Sequence, residues 1–265
     1  MFLKRVYLIC WGFLFVCVLE TGVLFAVIIL LMKKLSGYNL AIETSSRCGS
    51  VSIGFGGELL ASGPILEPGR HSLELMPTID GLCQRFGVAP SDLCQIYVDI
   101  GPGSFTGLRI GLATAKMLNH TLGVDLVGVG GLEVLAWNVA VSEKTLVVSV
   151  NSKKQAAYMA SFVAKEGRWV YDGEGRLQKL EDILSGIDGE VELLGDHLPD
   201  LPGEFVDRVR VLDEGLAVPR SEGLWFAGRG YAERGEFLES DQLLPIYARV
   251  PEAVELWNKR NEKVC

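Results

Sequence analysis

Residues 38–44 (YNLAIET) form an almost unbroken apolar run that ends in an acid and a hydroxyl, the pattern of a buried strand. Residues 49–55 (GSVSIGF) alternate, Gly56-Gly57 supplies hairpin-turn chemistry, and residues 58–62 continue as a third strand of an antiparallel meander. Leu75, Met76, Ile79, Leu82, Cys83 and Phe86 then recur at 3–4 spacing, which predicts an amphipathic helix over 71–86, with Leu73 off the stripe. A short strand is expected at 96–100, a tight glycine loop at 101–106, and a helix over 106–122 with Thr106 as its N-cap. A strand at 126–129 and a helix from Gly131 to about Val139 complete a β-β-β-α-β-α-β-α order.

That order predicts an α/β fold: a mixed sheet flanked by helices, as in ribonuclease-H-like and actin-like lobes. A second, smaller lobe is expected over 144–221, after a main lobe at 38–143. Its strands are read at 145–150 and 156–163; the Gly-, Asp-, Glu- and Pro-rich stretch 165–219 carries only short apolar runs at 191–194 and 209–212. A returning helix is read at 223–236, weakened by Gly228 and Gly230, within a last segment, 222–265. No internal repeat is visible.

The hydropathy of the whole is skewed by its first residues. Mean hydropathy is +0.28 in a chain with 22% charged residues, because Val6 to Met32 holds one charge, Glu20, and 17 Leu, Ile, Phe or Val. Residues 1–37 therefore read as an apolar leader, with two readings open. One is a transmembrane helix over 6–32 that anchors the body to the inner membrane face, since 27 residues suffice to span a bilayer. The other is upstream sequence ahead of a true start at Met32. Residues 1–39 carry a net +3, which leaves −11 for the remaining 226 residues of a chain totalling −8. Such an acidic body excludes a phosphate-coating surface, so contact with nucleic acid is expected only through partners. Six cysteines form no CxxC, and His71, His120 and His197 form no HxxxH, so no local metal site is expected.

The stretch Gly101-Pro102-Gly103-Ser104-Phe105-Thr106-Gly107-Leu108-Arg109-Ile110-Gly111 carries the most candidate chemistry. It follows a strand and opens a helix, where free N–H groups and the helix dipole favour an anion. It matches neither GxxxxGK[ST] nor GxGxxG. Two readings stand: a vestigial phosphate loop built from Glu43, Thr44, Gly101, Gly103, Ser104, Thr106 and Gly107, or a strand–helix turn whose glycines permit close packing. Asp99 is a candidate second acid beside Glu43, and His71 reads as a cap or surface group.

ETSSRCGSVSIGF, RHSLELMPTIDGL and IYVDIGPGSFTGLRIGLATAKMLNHTLGVDLVGVGGLEVLA, in that order over residues 40–136, resemble the bacterial TsaB (YeaZ) family; PIYAR at 245–249 resembles its near-terminal P-x-Y-L-R. The resemblance implies an actin-like (ASKHA) fold and no catalytic residues. It implies a scaffold that binds a TsaD-like protein, with a TsaE-like ATPase, for threonylcarbamoylation of adenosine 37 in ANN-decoding tRNAs. A homodimer is implied where the TsaD-like partner is absent, cytoplasmic location follows, and ATP and metal belong to the partners. The partner surface it implies lies on the first two main-lobe helices, with Leu73, Met76, Leu112 and Lys116 as candidates. The family usually has Asp where Glu43 stands, and the stretch 151–158 keeps Tyr158 but loses both acids of the family's D-A-R-x-G-E-V-Y. The competing function is an ATPase or phosphotransferase of the same fold using Glu43 and the 101–107 loop.

Overall fold

The computed structural model describes residues 8–11, 14–17, 37–65, 70–153, 156–196, 198–248 and 257. Of the apolar leader, Leu8–Trp11 (β1) and Leu14–Cys17 (β2) pair as an antiparallel ladder, so these residues are extended and not part of a spanning helix. The remainder of the expected 6–32 span lies outside the described residues. Among the described residues no helix is long and apolar enough to cross a membrane.

The main lobe is built on β3 (Tyr38–Glu43), β4 (Ser50–Phe55), β5 (Glu58–Pro64), β6 (Leu93–Gly101) and β7 (Asp125–Gly130), in the spatial order β5-β4-β3-β6-β7. The β3–β4 and β4–β5 pairs are antiparallel, β3–β6 and β6–β7 parallel. Both turn glycines between β4 and β5, Gly56 and Gly57, have positive φ, as a tight hairpin turn requires. Strand alternation divides the side chains between two covers. Leu40, Ile42, Ile96 and Val98 face α1 (His71–Phe86) and α2 (Phe105–Leu122), meeting Leu75, Ile79, Leu108 and Leu112. Ala41, Tyr97 and Val127 face the opposite way, onto Leu224 and Trp225 of α5 (Ser221–Glu233).

The second lobe contains β8 (Thr145–Lys153), β9 (Ala156–Lys165), β10 (Arg168–Lys179), β11 (Val191–Gly195) and β12 (Val209–Val211), ordered β10-β9-β8-β11-β12. Its first three strands are antiparallel neighbours and its last two parallel, so both sheets share one plan. The stretch 165–219, in which only short apolar runs were visible, thus holds β10, the short helix α4 (Leu180–Ser185), β11 and β12. Strand β10 escaped the sequence reading because its register breaks between Asp172 and Arg176 and most of its residues are exposed or half-buried, which destroys the period-2 signal.

Helix α3 (Gly131–Ala136) joins the lobes: Leu132, Leu135 and Ala136 pack on the second sheet, while Val134 packs with Trp225. It ends three residues before the expected Val139. The glycines that weakened α5 as a helix have different roles. A Cβ on Gly228 would strike the Tyr97 ring, so this glycine lets the helix lie against the sheet, and Gly54 likewise makes room for the Trp225 indole. Gly230 has no such constraint from the sheet. Past α5 the chain returns to the main lobe: the Leu238 N–H donates to Leu126 O, Leu243 is fully buried, and the Ile246 N–H donates to Ile100 O at 2.6 Å.

Candidate functional site

The C-terminal ends of β3 and β6 place two acids side by side beneath the cleft between the lobes. Glu43 and Asp99 are both fully buried. One oxygen of each is satisfied: Glu43 Oε1 accepts from the Ser45 N–H at 2.6 Å and from the Ser45 hydroxyl, and Asp99 Oδ1 accepts from the Gly101 N–H at 2.6 Å. The other oxygens, Oε2 of Glu43 and Oδ2 of Asp99, are buried without a described hydrogen-bond partner. Burial pushes both carboxyls above the ordinary carboxylate range, and the neighbouring Asp99 charge pushes Glu43 further up. The two titrate as a pair that retains a proton near neutrality. The acids hold two turns, 44–49 after β3 and 101–104 after β6.

His71 is neither a surface group nor a cap: it is buried, and its Nε2 lies 3.0 Å from Ser46 O, so it braces the first of those turns.

The glycines of the loop seat the end of β3. A Cβ on Gly107 would overlap the Thr44 carbonyl oxygen, one on Gly111 the Thr44 hydroxyl, and one on Gly103 the Ser45 carbonyl. Thr44 Oγ1 donates to Gly107 O at 2.8 Å, and the Ser104 N–H donates to Ser45 O at 2.6 Å. The close packing expected of these glycines is present where the loop meets the end of β3, while Gly103 and Ser104 also line the cleft described below. Ser104, not Thr106, caps α2, its Oγ accepting from the Gly107 N–H at 3.2 Å; Thr106 lies in the first helical turn and is exposed. Glu43, Thr44, Gly101, Gly103, Ser104 and Gly107 are therefore brought together, and Thr106 points away from that knot.

Above the two turns lies an interlobe cleft of about 380 Å³, bounded by Ser45, Arg47, Gly103, Ser104 and Gly131 on the main-lobe side and by Asp196 on the second-lobe side. Its wall is largely apolar, and Arg47 is the cation on it. Among the described residues no group of three or more His, Cys, Asp or Glu is placed to hold a metal ion.

The second candidate surface is the outer face of α1 and α2. Leu73 is 63% exposed and Met76 42% exposed, so both side chains reach the surface, Met76 leaving the apolar stripe on which its spacing had also placed it. Leu112 does not: at 4% exposed it is part of the core between α2 and the sheet. Its i, i+4 relation to Leu108 places it on the inward stripe, and the sequence reading misjudged the stripe's width. Lys116 is half-buried. Sequence reasoning missed Phe105, Arg109 and Met117. Met117 is 49% exposed, and the Phe105 ring lies 5.1 Å from that of Tyr247 with the Arg109 guanidinium 3.7 Å above it. The i, i+4, i+8, i+12 recurrence of Phe105, Arg109, Ala113 and Met117 was the available signal.

Two sheets of one strand order, flanked by helices and facing each other across a cleft, define an actin-like two-lobed protein. The family model for TsaD, the tRNA N6-adenosine threonylcarbamoyltransferase, matches residues 64–184. The tRNA threonylcarbamoyladenosine biosynthesis protein TsaB of Bacillus subtilis is 28% identical over 226 residues, covering 82% of this chain and 96% of the relative. The Escherichia coli TsaB is 25% identical, covering 63% and 68%. The solved structure of YeaZ from Pseudomonas aeruginosa superposes with a TM-score of 0.68 at 25% identity, covering 80% of this chain and 99% of that one. Over most of its length the chain is similar to the TsaB (YeaZ) family.

Proposed function

We propose that the protein is a non-catalytic subunit for threonylcarbamoyladenosine formation in tRNA, acting in the cytoplasm by binding and activating a TsaD-like protein together with a TsaE-like ATPase. The observation that carries this reading is the contrast between its two candidate surfaces. The glycine loop that would hold phosphate in a phosphotransferase carries no P-loop lysine, and its glycines are used to seat Thr44 and Ser45. The outer face of α1 and α2, by contrast, leaves Leu73, Met76, Phe105 and Met117 in water. Large apolar side chains left exposed on two adjacent helices suit a surface completed by another protein. ATP and metal then enter with the partners, and tRNA meets the complex chiefly through them, because an acidic body repels phosphate.

The test is reconstitution. The chain is expected to co-purify with a TsaD-like partner and to restore threonylcarbamoyladenosine when added to the TsaD-like and TsaE-like proteins, tRNA and substrates. Modification that proceeds equally without it overturns the proposal. Titration calorimetry separates the competing phosphotransferase reading: micromolar binding of ATP by the isolated chain would favour that reading and count against a scaffold.

A further inference from the structure

Helix α2 is a basic element in an acidic chain. The whole chain is −8, yet Phe105–Leu122 contains Arg109 and Lys116 and no acid. Seven residues separate the two cations, which sets them on one side of the helix roughly 10 Å apart at 1.5 Å per residue.

Arg109 is pre-positioned. Its guanidinium lies over the Phe105 ring at 3.7 Å, and its Nε donates to the Tyr247 hydroxyl at 3.3 Å. Tyr247 is held in turn by the Phe105 ring and by the backbone bond from Ile246 to Ile100. The near-terminal strap thus orients the arginine, which stays exposed. Among the described residues no carboxylate comes within ion-pair distance of Arg109 or Lys116. An arginine stacked on an aromatic ring and fixed through Nε has already lost most of its rotamer freedom, so a bidentate pair with a carboxylate costs little further ordering.

We propose that Arg109, clamped by Phe105 and Tyr247, and Lys116 form the charge-selective part of the partner surface, and that its occupant is an acidic helix of a different chain with carboxylates spaced to meet both cations. This rests on the α1/α2 docking reading given above. A second copy of this chain is a poorer fit. On the same face it offers Asp80, which already accepts from Gln84 Nε2 at 2.7 Å, and Glu74, which is half-buried. Helix α2 of a second copy would bring only more positive charge.

The experiment measures affinity for the TsaD-like partner by titration calorimetry at low and high salt, with circular dichroism confirming that each variant is folded. Arg109→Glu is expected to weaken binding at least 30-fold, and Lys116→Glu about tenfold. Arg109→Lys, which keeps charge but loses the fork, should weaken it several-fold, and Tyr247→Phe less. High salt should reduce the wild-type affinity and leave Arg109→Glu nearly insensitive. A partner carboxylate changed to lysine that restores Arg109→Glu binding fixes the contact. Three results overturn the inference, the last by removing the docking reading on which it rests. If Leu73→Glu with Met117→Glu abolishes binding while both charge reversals leave it unchanged, the docking face stands and its charge selectivity falls. If Arg109→Glu dissociates a homodimer of this chain alone but leaves affinity for the TsaD-like partner unchanged, the occupant is a second copy. If Leu73→Glu with Met117→Glu also leaves binding intact, the docking reading itself fails.

Discussion

The most consequential side chains are two carboxyls that the sequence offered together without showing how they meet. Glu43 ends a strand and Asp99 sits fifty-six positions later; only the parallel β3–β6 register sets them together. Their burial has a consequence for stability. In the unfolded chain both acids titrate near the ordinary value of about 4. In the folded protein both are raised, Glu43 the more, to about 8. Between these limits the folded state binds more protons than the unfolded state, so the pair makes stability fall as pH rises. The urea midpoint is expected to decline between pH 5 and pH 8, and Glu43→Gln, which cannot ionise, should flatten that decline and exceed wild type at pH 8. A variant curve parallel to the wild-type one would show that the pair does not share a retained proton. The glycines make the complementary point. Gly103, Gly107 and Gly111 were legible as a motif, but whether their missing side chains admitted a phosphate or a neighbouring strand was not, because the filler, Thr44-Ser45, lies some sixty residues away.

Secondary structure was most readable where one face is buried and the other wet. The meander, α1 and the body of α2 follow from periodicity, since each presents a clean apolar stripe to a sheet. The width of a stripe is harder to judge than its presence, and Leu112 shows why. On a helix packed flat against a sheet, positions flanking the centre of the stripe remain buried, so Leu112 contributes to the core while Leu73, beyond the edge of its own stripe, reaches water. The two leucines therefore give opposite outcomes. Leu112→Ala should cost about 2–5 kcal/mol in chemical denaturation and leave partner affinity unchanged in the folded fraction. Leu73→Ala should change stability by less than about 0.5 kcal/mol and weaken partner binding. If Leu112→Ala proves thermodynamically silent, its place in the core is refuted. Strand β10 illustrates the opposite limit: exposed along most of its length and broken in register, it carries little signal that a sequence can show.

The plan of the whole molecule is a duplication of topology without visible duplication of sequence. Both sheets run three antiparallel strands and then two parallel ones, yet different side chains fill the cores, Leu40, Ile42 and Ile96 in one, Leu146, Val148 and Phe162 in the other. Strand order is set by hydrogen bonding and burial pattern, which many sequences satisfy, and so the repeat could not be read from identities. The second lobe is inserted between the main sheet and its cover. Helix α5, which follows the second lobe in the chain, supplies Leu224 and Trp225 to the face made by Ala41, Tyr97 and Val127, with the indole N–H donating to Asn39 Oδ1. The main lobe is therefore discontinuous, and residues 32–143 alone should not fold. That fragment leaves the Tyr97 face bare, with Gly54 and Asn39 shaped for an absent tryptophan. It is expected to be aggregation-prone and to lack a cooperative thermal transition, whereas the same fragment joined through a short linker to residues 219–248 should regain one. Within the intact chain Trp225→Ala should cost about 3–5 kcal/mol, the range for emptying a large buried aromatic site. A sharp, reversible transition in the unlinked fragment would show that α5 is an accessory to the main lobe and not part of its core.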